Sequence, residues 1–238
     1  MILKKFIPNY LFLFFLVYCN LLGSCKNDAP TTNTQQPITN SPQLVNSNQQ
    51  HNIMFFGNSL TAGYGLENPA NGFVGLIQQR LDSLKQPYTC INAGLSGETT
   101  IDGSNRVDWT IAQQSFDIFI LELGGNDALR GTPASEAQKN LQIIIDKVRA
   151  KNPSAKIILA GMEAPRNLGK NYTDAFHNIY PTLAKKNNIA LIPFLLENVG
   201  GIPQMNQGDG IHPNIAGNLI VRENVWSVLK KYIKGDMR

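Results

Sequence analysis

The stretch Ile53-Met54-Phe55-Phe56-Gly57-Asn58-Ser59-Leu60-Thr61-Ala62-Gly63 decides how the rest of the chain is read. Four apolar residues stand on consecutive positions and stop at a glycine and a polar turn. A strand with one wet face alternates; an unbroken apolar run suits a strand covered on both faces, as in a parallel sheet. The same signature returns at 89–92, 118–123, 157–161 and 189–193, each run bounded by Gly, Asn or Pro. Between the runs lie helical patterns at 73–84, more weakly near 106–114, then at 134–150, 172–186 and 215–233. Leu141, Ile144, Ile145 and Val148 recur at helical spacing. Thr132-Pro133 supplies an N-cap and a first-turn proline for that helix, and Pro181 is expected to kink the helix that contains it. Five βα units in a row predict a single α/β domain over 52–238, doubly wound as a three-layer α/β/α sandwich.

The residues before this domain read differently. Lys4 and Lys5 precede the unbroken apolar run Leu11 to Cys19, which at nine residues is far short of the roughly 20 needed to span a bilayer. This is the pattern of a secretory signal rather than a membrane helix. Leu22-Gly23-Ser24-Cys25 then resembles a bacterial lipobox, which implies cleavage after Ser24 (a signal peptide over 1–24), a lipid on Cys25 and a protein anchored to a membrane of the bacterial cell envelope, its domain facing periplasm or exterior. Of the 25 residues from Lys26 to Gln50, 19 are Asn, Gln, Ser, Thr or Pro. Such a segment buries too little apolar area to offset the entropy of ordering it. Residues 25–51 are therefore expected to be the lipidated cysteine and a disordered tether, with a mean reach of about 25–30 Å. His51 falls at the tether's end, where nothing is expected to fix it.

Composition bounds the function. The chain has 238 residues, 42% of them hydrophobic and 16% charged, enough for a sizeable core. Without the leader it carries 19 basic and 17 acidic residues, too balanced for a nucleic-acid binder working through a basic face. The cysteines are Cys19, Cys25 and Cys90; the last reads as a small buried residue. No Cys/His set has zinc spacing, and Asp102-Gly103-Ser104-Asn105 lacks the glycine and terminal Glu of a calcium loop.

Ligands of such sheets collect at the carboxyl ends of the strands. The residues able to do chemistry fall there, in four loops: Gly57 to Leu60, Ala93 to Glu98, Gly124 to Asp127, and Asp209-Gly210-Ile211-His212-Pro213-Asn214. Of the three histidines, His177 sits in a helical pattern as packing or surface, and His212, three residues after Asp209, remains as the imidazole base. Asp209 and His212 read either as a turn with a capping Asp or as a base with its orienting carboxylate. Ser59 reads either as a helix N-cap or as a hydroxyl nucleophile on a tight turn. Gly97 can bring a backbone N–H close to a developing oxyanion, and Asn126 reads as a turn residue or as an amide donor.

Taken together, the four segments resemble the blocks of the SGNH (GDSL) hydrolase superfamily, in order and spacing, from Ile53 to about Val228. The likeness is closest to the periplasmic multifunctional acyl-CoA thioesterase/lysophospholipase subgroup with arylesterase activity, through Glu122-Leu123-Gly124-Gly125-Asn126-Asp127-Ala128-Leu129-Arg130-Gly131 and the segment Ala175 to Lys185. The resemblance implies a five-stranded parallel, flavodoxin-like sheet. It implies Ser59 as nucleophile, His212 as general base, Asp209 as its partner, and an oxyanion hole formed by the N–H groups of Ser59 and Gly97 with the Asn126 side chain. It implies ester hydrolysis through an acyl-enzyme, on a small-molecule ester or lipid substrate, with no metal or cofactor. The family has Asp where this chain has Asn58, which keeps the shape and one acceptor and loses the charge. A carbohydrate or peptidoglycan O-acetylesterase is the alternative, and a non-catalytic binding lipoprotein the third reading. Acyl-length preference separates the first two, with the loop 162–170 as an expected wall of the acyl slot.

Overall fold

The structure is a computed structural model and describes residues 50–233. The signal-peptide, lipobox and Cys25 readings, and all but the last two residues of the tether, lie outside the described residues.

Five strands, β1 (His51–Gly57), β2 (Tyr88–Gly94), β3 (Ile118–Glu122), β4 (Lys156–Ala160) and β5 (Ala190–Ile192), pair in parallel in the order β2-β1-β3-β4-β5. This is the flavodoxin-like order expected. The apolar runs are buried as the sequence demands: Ile53 to Phe56 and Ile118 to Leu121 are at most 2% exposed. The short turn α1 (Ser59–Ala62) follows β1; the crossover helices are α2 (Phe73–Ser83), α3 (Thr100–Gln113), α5 (Ala134–Lys151) and the pair α6 (Lys170–His177) and α7 (Ile179–Asn187), with α8 (Ile215–Leu229) closing the chain and the short α4 (Gly125–Leu129) capping β3. Helix α2 packs with α8, and α3 and α7 flank α5, so helices cover both faces. Leu141, Ile144, Ile145 and Val148 of α5 are fully buried, as their spacing requires.

Several elements depart from the sequence reading. Helix α3 begins at Thr100, six residues ahead of the expected 106. Its start signal is a capping box between Thr99 and Asp102, reinforced by Asp127, whose carboxylate accepts from Thr100 N at 2.8 Å and Thr100 Oγ1 at 2.6 Å. The single helix expected over 172–186 is two helices that meet at Asn178. Pro181 causes this, but the break lies upstream: its ring excludes the carbonyl four residues back, that of His177, and Pro181 then sits in the first turn of α7, where no N–H is needed. At α5, Pro133 occupies the N-cap position and Thr132 does not cap. His51 is not loose: it opens β1, stacks on Tyr88 at 5.0 Å and sits 3.0 Å from the Asp117 carboxylate. Cys90 is half-buried, and burial pushes its thiol up to about 12.

Register places the site. Gly57 at the end of β1 lies level with Gly94 of β2 and Glu122 of β3. A Cβ on Gly57 would collide with Glu122 and Thr61, and one on Gly94 with the backbone of Ala62. Glycine at these two positions lets α1 fold back directly over the strand ends.

Candidate active site

Asn58 leaves β1 and caps α1, its Oδ1 accepting from Leu60 N at 3.0 Å. The cap is thus Asn58, which frees the Ser59 hydroxyl for another partner. That partner is His212 Nε2, 2.8 Å away; the next acceptor, Asn58 Oδ1, is at 3.4 Å. His212 Nδ1 donates to Asp209 Oδ2 at 2.7 Å, which leaves Nε2 as the acceptor for the serine proton. Asp209 is held in turn by its own loop: Oδ1 accepts from Ile211 N at 2.9 Å and His212 N at 3.0 Å. Hydrogen bonds from the His212 ring and from these two amides hold the Asp209 carboxyl down at about 2, so it stays ionised. Ser59, His212 and Asp209 form one continuous hydrogen-bonded chain; the N-cap of α1 is Asn58, and Asp209 both caps its own turn and meets the His212 ring.

The donors lie around this chain. Leu95 to Glu98 form a turn closed by Glu98 N to Leu95 O at 3.3 Å, with Gly97 at φ +87°, the third-position geometry of a type II turn. Asn126, in the first turn of α4, donates one amide hydrogen to Glu98 O at 2.8 Å, leaving its second free. Neither Ser59 N–H nor Gly97 N–H has a hydrogen-bond acceptor among the described residues. The segments that follow β1, β2 and β3 thus each carry a donor without an acceptor among the described residues: Ser59 N–H, Gly97 N–H and the second Asn126 amide hydrogen.

Several positioning contacts were not legible in the spacing of motifs. Gln207 joins the first and last loops: its N–H donates to His212 O at 2.8 Å and its side chain to Tyr64 O at 2.8 Å. Tyr64 lays its ring 4.8 Å from that of His212. Arg106 grips Glu98 through two bonds of 2.5 and 2.6 Å, stacks over Phe56 and reaches Ala93 O, so the Gly97 turn is tied to α3. Glu122 lies beneath the serine turn, 1% exposed, with Oε2 accepting from Asn58 N at 3.1 Å and Thr61 Oγ1 at 2.9 Å and Oε1 unpartnered among the described residues. Burial pushes its carboxyl up to about 7 against the pull of those hydrogen bonds. Asn58 spares Glu122 a second carboxylate, which is what an Asp would bring there.

A cleft of about 980 Å³ opens beside Ser59. Leu129, Met162, Phe194, Leu196, Ile202 and Ile211 give it apolar walls, and Met162 to Arg166 form one side, as expected of the 162–170 loop. His177 also lines this cleft, mostly exposed and paired with Glu163 at 2.7 Å, whereas the serine pairs with His212.

Residues 55–220 match the model of the GDSL-like lipase/acylhydrolase family. The chain is 39% identical to esterase TesA of Pseudomonas aeruginosa over 178 residues, 75% of this chain and 87% of that one. It is 33% identical to the arylesterase of Vibrio mimicus over 187 residues (79% and 92%) and 36% identical to thioesterase 1/protease 1/lysophospholipase L1 of Escherichia coli over 162 residues (68% and 75%). A crystal structure of TesA superposes with a TM-score of 0.72, covering 76% of this chain and 99% of that one. On this match, over a sheet and loop set of the same design, the chain belongs to the GDSL-like lipase/acylhydrolase family and is an SGNH-type ester hydrolase.

Proposed function

We propose that the chain hydrolyses acyl esters by a Ser-His-Asp triad through an acyl-enzyme on Ser59. The observation that carries this is the hydrogen-bonded chain from Ser59 Oγ through His212 to Asp209, at 2.8 and 2.7 Å. In the first step Ser59 Oγ attacks the ester carbonyl while its proton passes to His212 Nε2. The oxyanion is met by Ser59 N–H, Gly97 N–H and the free hydrogen of the Asn126 amide. His212 then returns the proton to the leaving alcohol or thiol. Water, deprotonated by His212, attacks acyl-Ser59 and releases the acid.

The apolar walls of the cleft favour medium or long acyl chains, and the names of the relatives (arylesterase, thioesterase, lysophospholipase) favour the same substrate range. An O-acetylesterase acting on carbohydrate is the second reading; an acetyl xylan esterase at 26% identity, TM-score 0.61, supports it. By the signal and lipobox reading, the enzyme works in the cell envelope, held by a lipid on Cys25. The test is hydrolysis of a p-nitrophenyl ester series from two to twelve carbons beside Ser59→Ala. Activity that peaks beyond acetate and vanishes in Ser59→Ala is expected. A peak at acetate selects the O-acetylesterase; activity surviving in Ser59→Ala overturns the triad. Cys25→Ala should leave the chain without a lipid, read as an intact mass that lacks the acyl increment carried by the parent.

A further inference from the structure

We propose that the edge of the domain opposite the cleft is a docking surface for anionic lipid headgroups, which holds the enzyme with its active site turned away from the membrane beneath it. The carboxyl edge of the sheet carries the site. At the other edge end all the long crossover helices. Arg80 lies in the last turn of α2 and Lys85 just beyond it; Arg149 and Lys151 in the last turn of α5 and Lys156 at the start of β4; Lys185 and Lys186 at the end of α7; Lys230 and Lys231 after α8. Against these nine bases, the segments 80–87, 110–117, 148–156, 184–189 and 226–233 hold two acids, Asp82 and Asp117. The five segments of the carboxyl edge (57–72, 94–103, 123–137, 161–174 and 193–214) hold nine acids and three bases. A near-neutral chain is thus strongly polarised along its strands.

Complementing helix dipoles accounts for a base or two at a helix end. It does not account for Lys85 in a loop, for Lys156 at the start of a strand, or for the scarcity of acids. Seven of the nine bases are exposed lysines with no ion pair among the described residues. Two further observations point to lipid. Trp226 lies with Leu84, Arg80, Lys230 and Lys231 around an open surface cleft of about 630 Å³, an amphipathic ring among cations of the kind that settles at a headgroup boundary. The chain also enters this edge, at His51, 26 residues after Cys25, the residue read as lipidated. On the tether reading of residues 25–51, a mean reach of about 25–30 Å lets this edge approach the membrane that holds Cys25. In this orientation the substrates are esters arriving from the aqueous side.

The docking rests in part on the anchor reading, so its test omits the anchor. The chain from Lys26 onward keeps every strand and the whole described core. It is sedimented with phosphatidylcholine vesicles with and without 30% phosphatidylglycerol. Binding is expected only to the anionic vesicles, with loss in 0.5 M salt and at least about a 30-fold weakening when Lys185, Lys186, Lys230 and Lys231 are all changed to Glu. Hydrolysis of soluble p-nitrophenyl butyrate by that variant should stay unchanged, which reports its fold. Should it not fold, Trp109→Phe leaves Trp226 as the sole tryptophan, and its emission should shift to the blue on anionic vesicles alone. Equal binding to neutral vesicles, binding that survives the lysine reversal, or unmoved Trp226 emission would overturn the proposal. A full-length chain that carries no acyl mass while the Lys26 chain binds vesicles would sink the anchor and leave the docking standing.

Discussion

Ser59, Asn58, Glu122 and Asn126 each depend on a neighbour that no motif names. One amide hydrogen of Asn126 is fixed on Glu98 O, and the proposed mechanism gives the other to the oxyanion. Asn126→Ala should lower kcat by roughly 10²–10³ with little change in KM, the scale of one lost oxyanion donor; steady-state kinetics on a p-nitrophenyl ester reads this directly, and an intact kcat would remove Asn126 from the hole. His177→Ala should leave kcat within a few-fold of the parent, since its partner is Glu163 on the cleft rim. Glu122 gives a pH signature. Its folded-state pKa, about 7, is raised above the ordinary 4.5. Protonation is therefore no burden below about pH 4.5, and the stability it favours is lost as pH rises through 7, by up to roughly 3 kcal/mol. Glu122→Gln should accordingly gain melting temperature over the parent at pH 8 and show little gain at pH 4.5. Asn58→Asp should do the opposite at pH 8, by setting a second carboxylate beside Glu122; equal melting curves at both pH values would contradict this account of the buried carboxyl. The sequence pointed to Ser59, Asp209 and His212 because the chemistry needs those residue types on loops. It could not point to Glu122, because its burial depends on the register of β1 against β3.

The elements were legible to the degree that one local signal settled them. All five strands were visible as short runs between Gly, Asn or Pro; β1, β3 and β4 stood out most because burial on both faces leaves few polar positions to blur the pattern, whereas β2 and β5 are only partly buried. The start of α3 was missed although Thr99 and Asp102 stand at capping-box spacing, because its first turn carries few apolar residues. The break at Asn178 was misplaced because a proline excludes the turn before it rather than bending the chain at itself. The short turn α1 carries Ser59, the residue on which the proposed mechanism rests. It fits only over glycine: Gly57→Ala should destabilise by more than about 2 kcal/mol, because the new Cβ meets backbone at Glu122 as well as the Thr61 side chain. Denaturant unfolding measures the loss, and a variant of unchanged midpoint would mean that α1 has room to move. Asn58→Ala should cost about 1 kcal/mol through loss of the α1 cap.

At the scale of the whole molecule, a parallel sheet brings four distant loops to one edge, and this sets Ser59 within 2.8 Å of a histidine 153 residues away. That convergence follows from five βα units, which is why the fold and the candidate site were legible together. The charge polarity along the strands was not readable, since it emerges only when helix ends from five segments share one edge. The shape of the cleft likewise depends on loops whose lengths carry no periodic signal. The central claim is covalent catalysis at Ser59, and the most direct measurement is the trapping of the nucleophile. The protein would be treated with an alkyl fluorophosphonate and the adduct mapped by peptide mass spectrometry. The account predicts one adduct per chain, on Ser59, formed at least about 100-fold more slowly in His212→Ala and absent in Ser59→Ala. An adduct on another residue, or ester hydrolysis that continues at full rate after Ser59 is blocked, would contradict it.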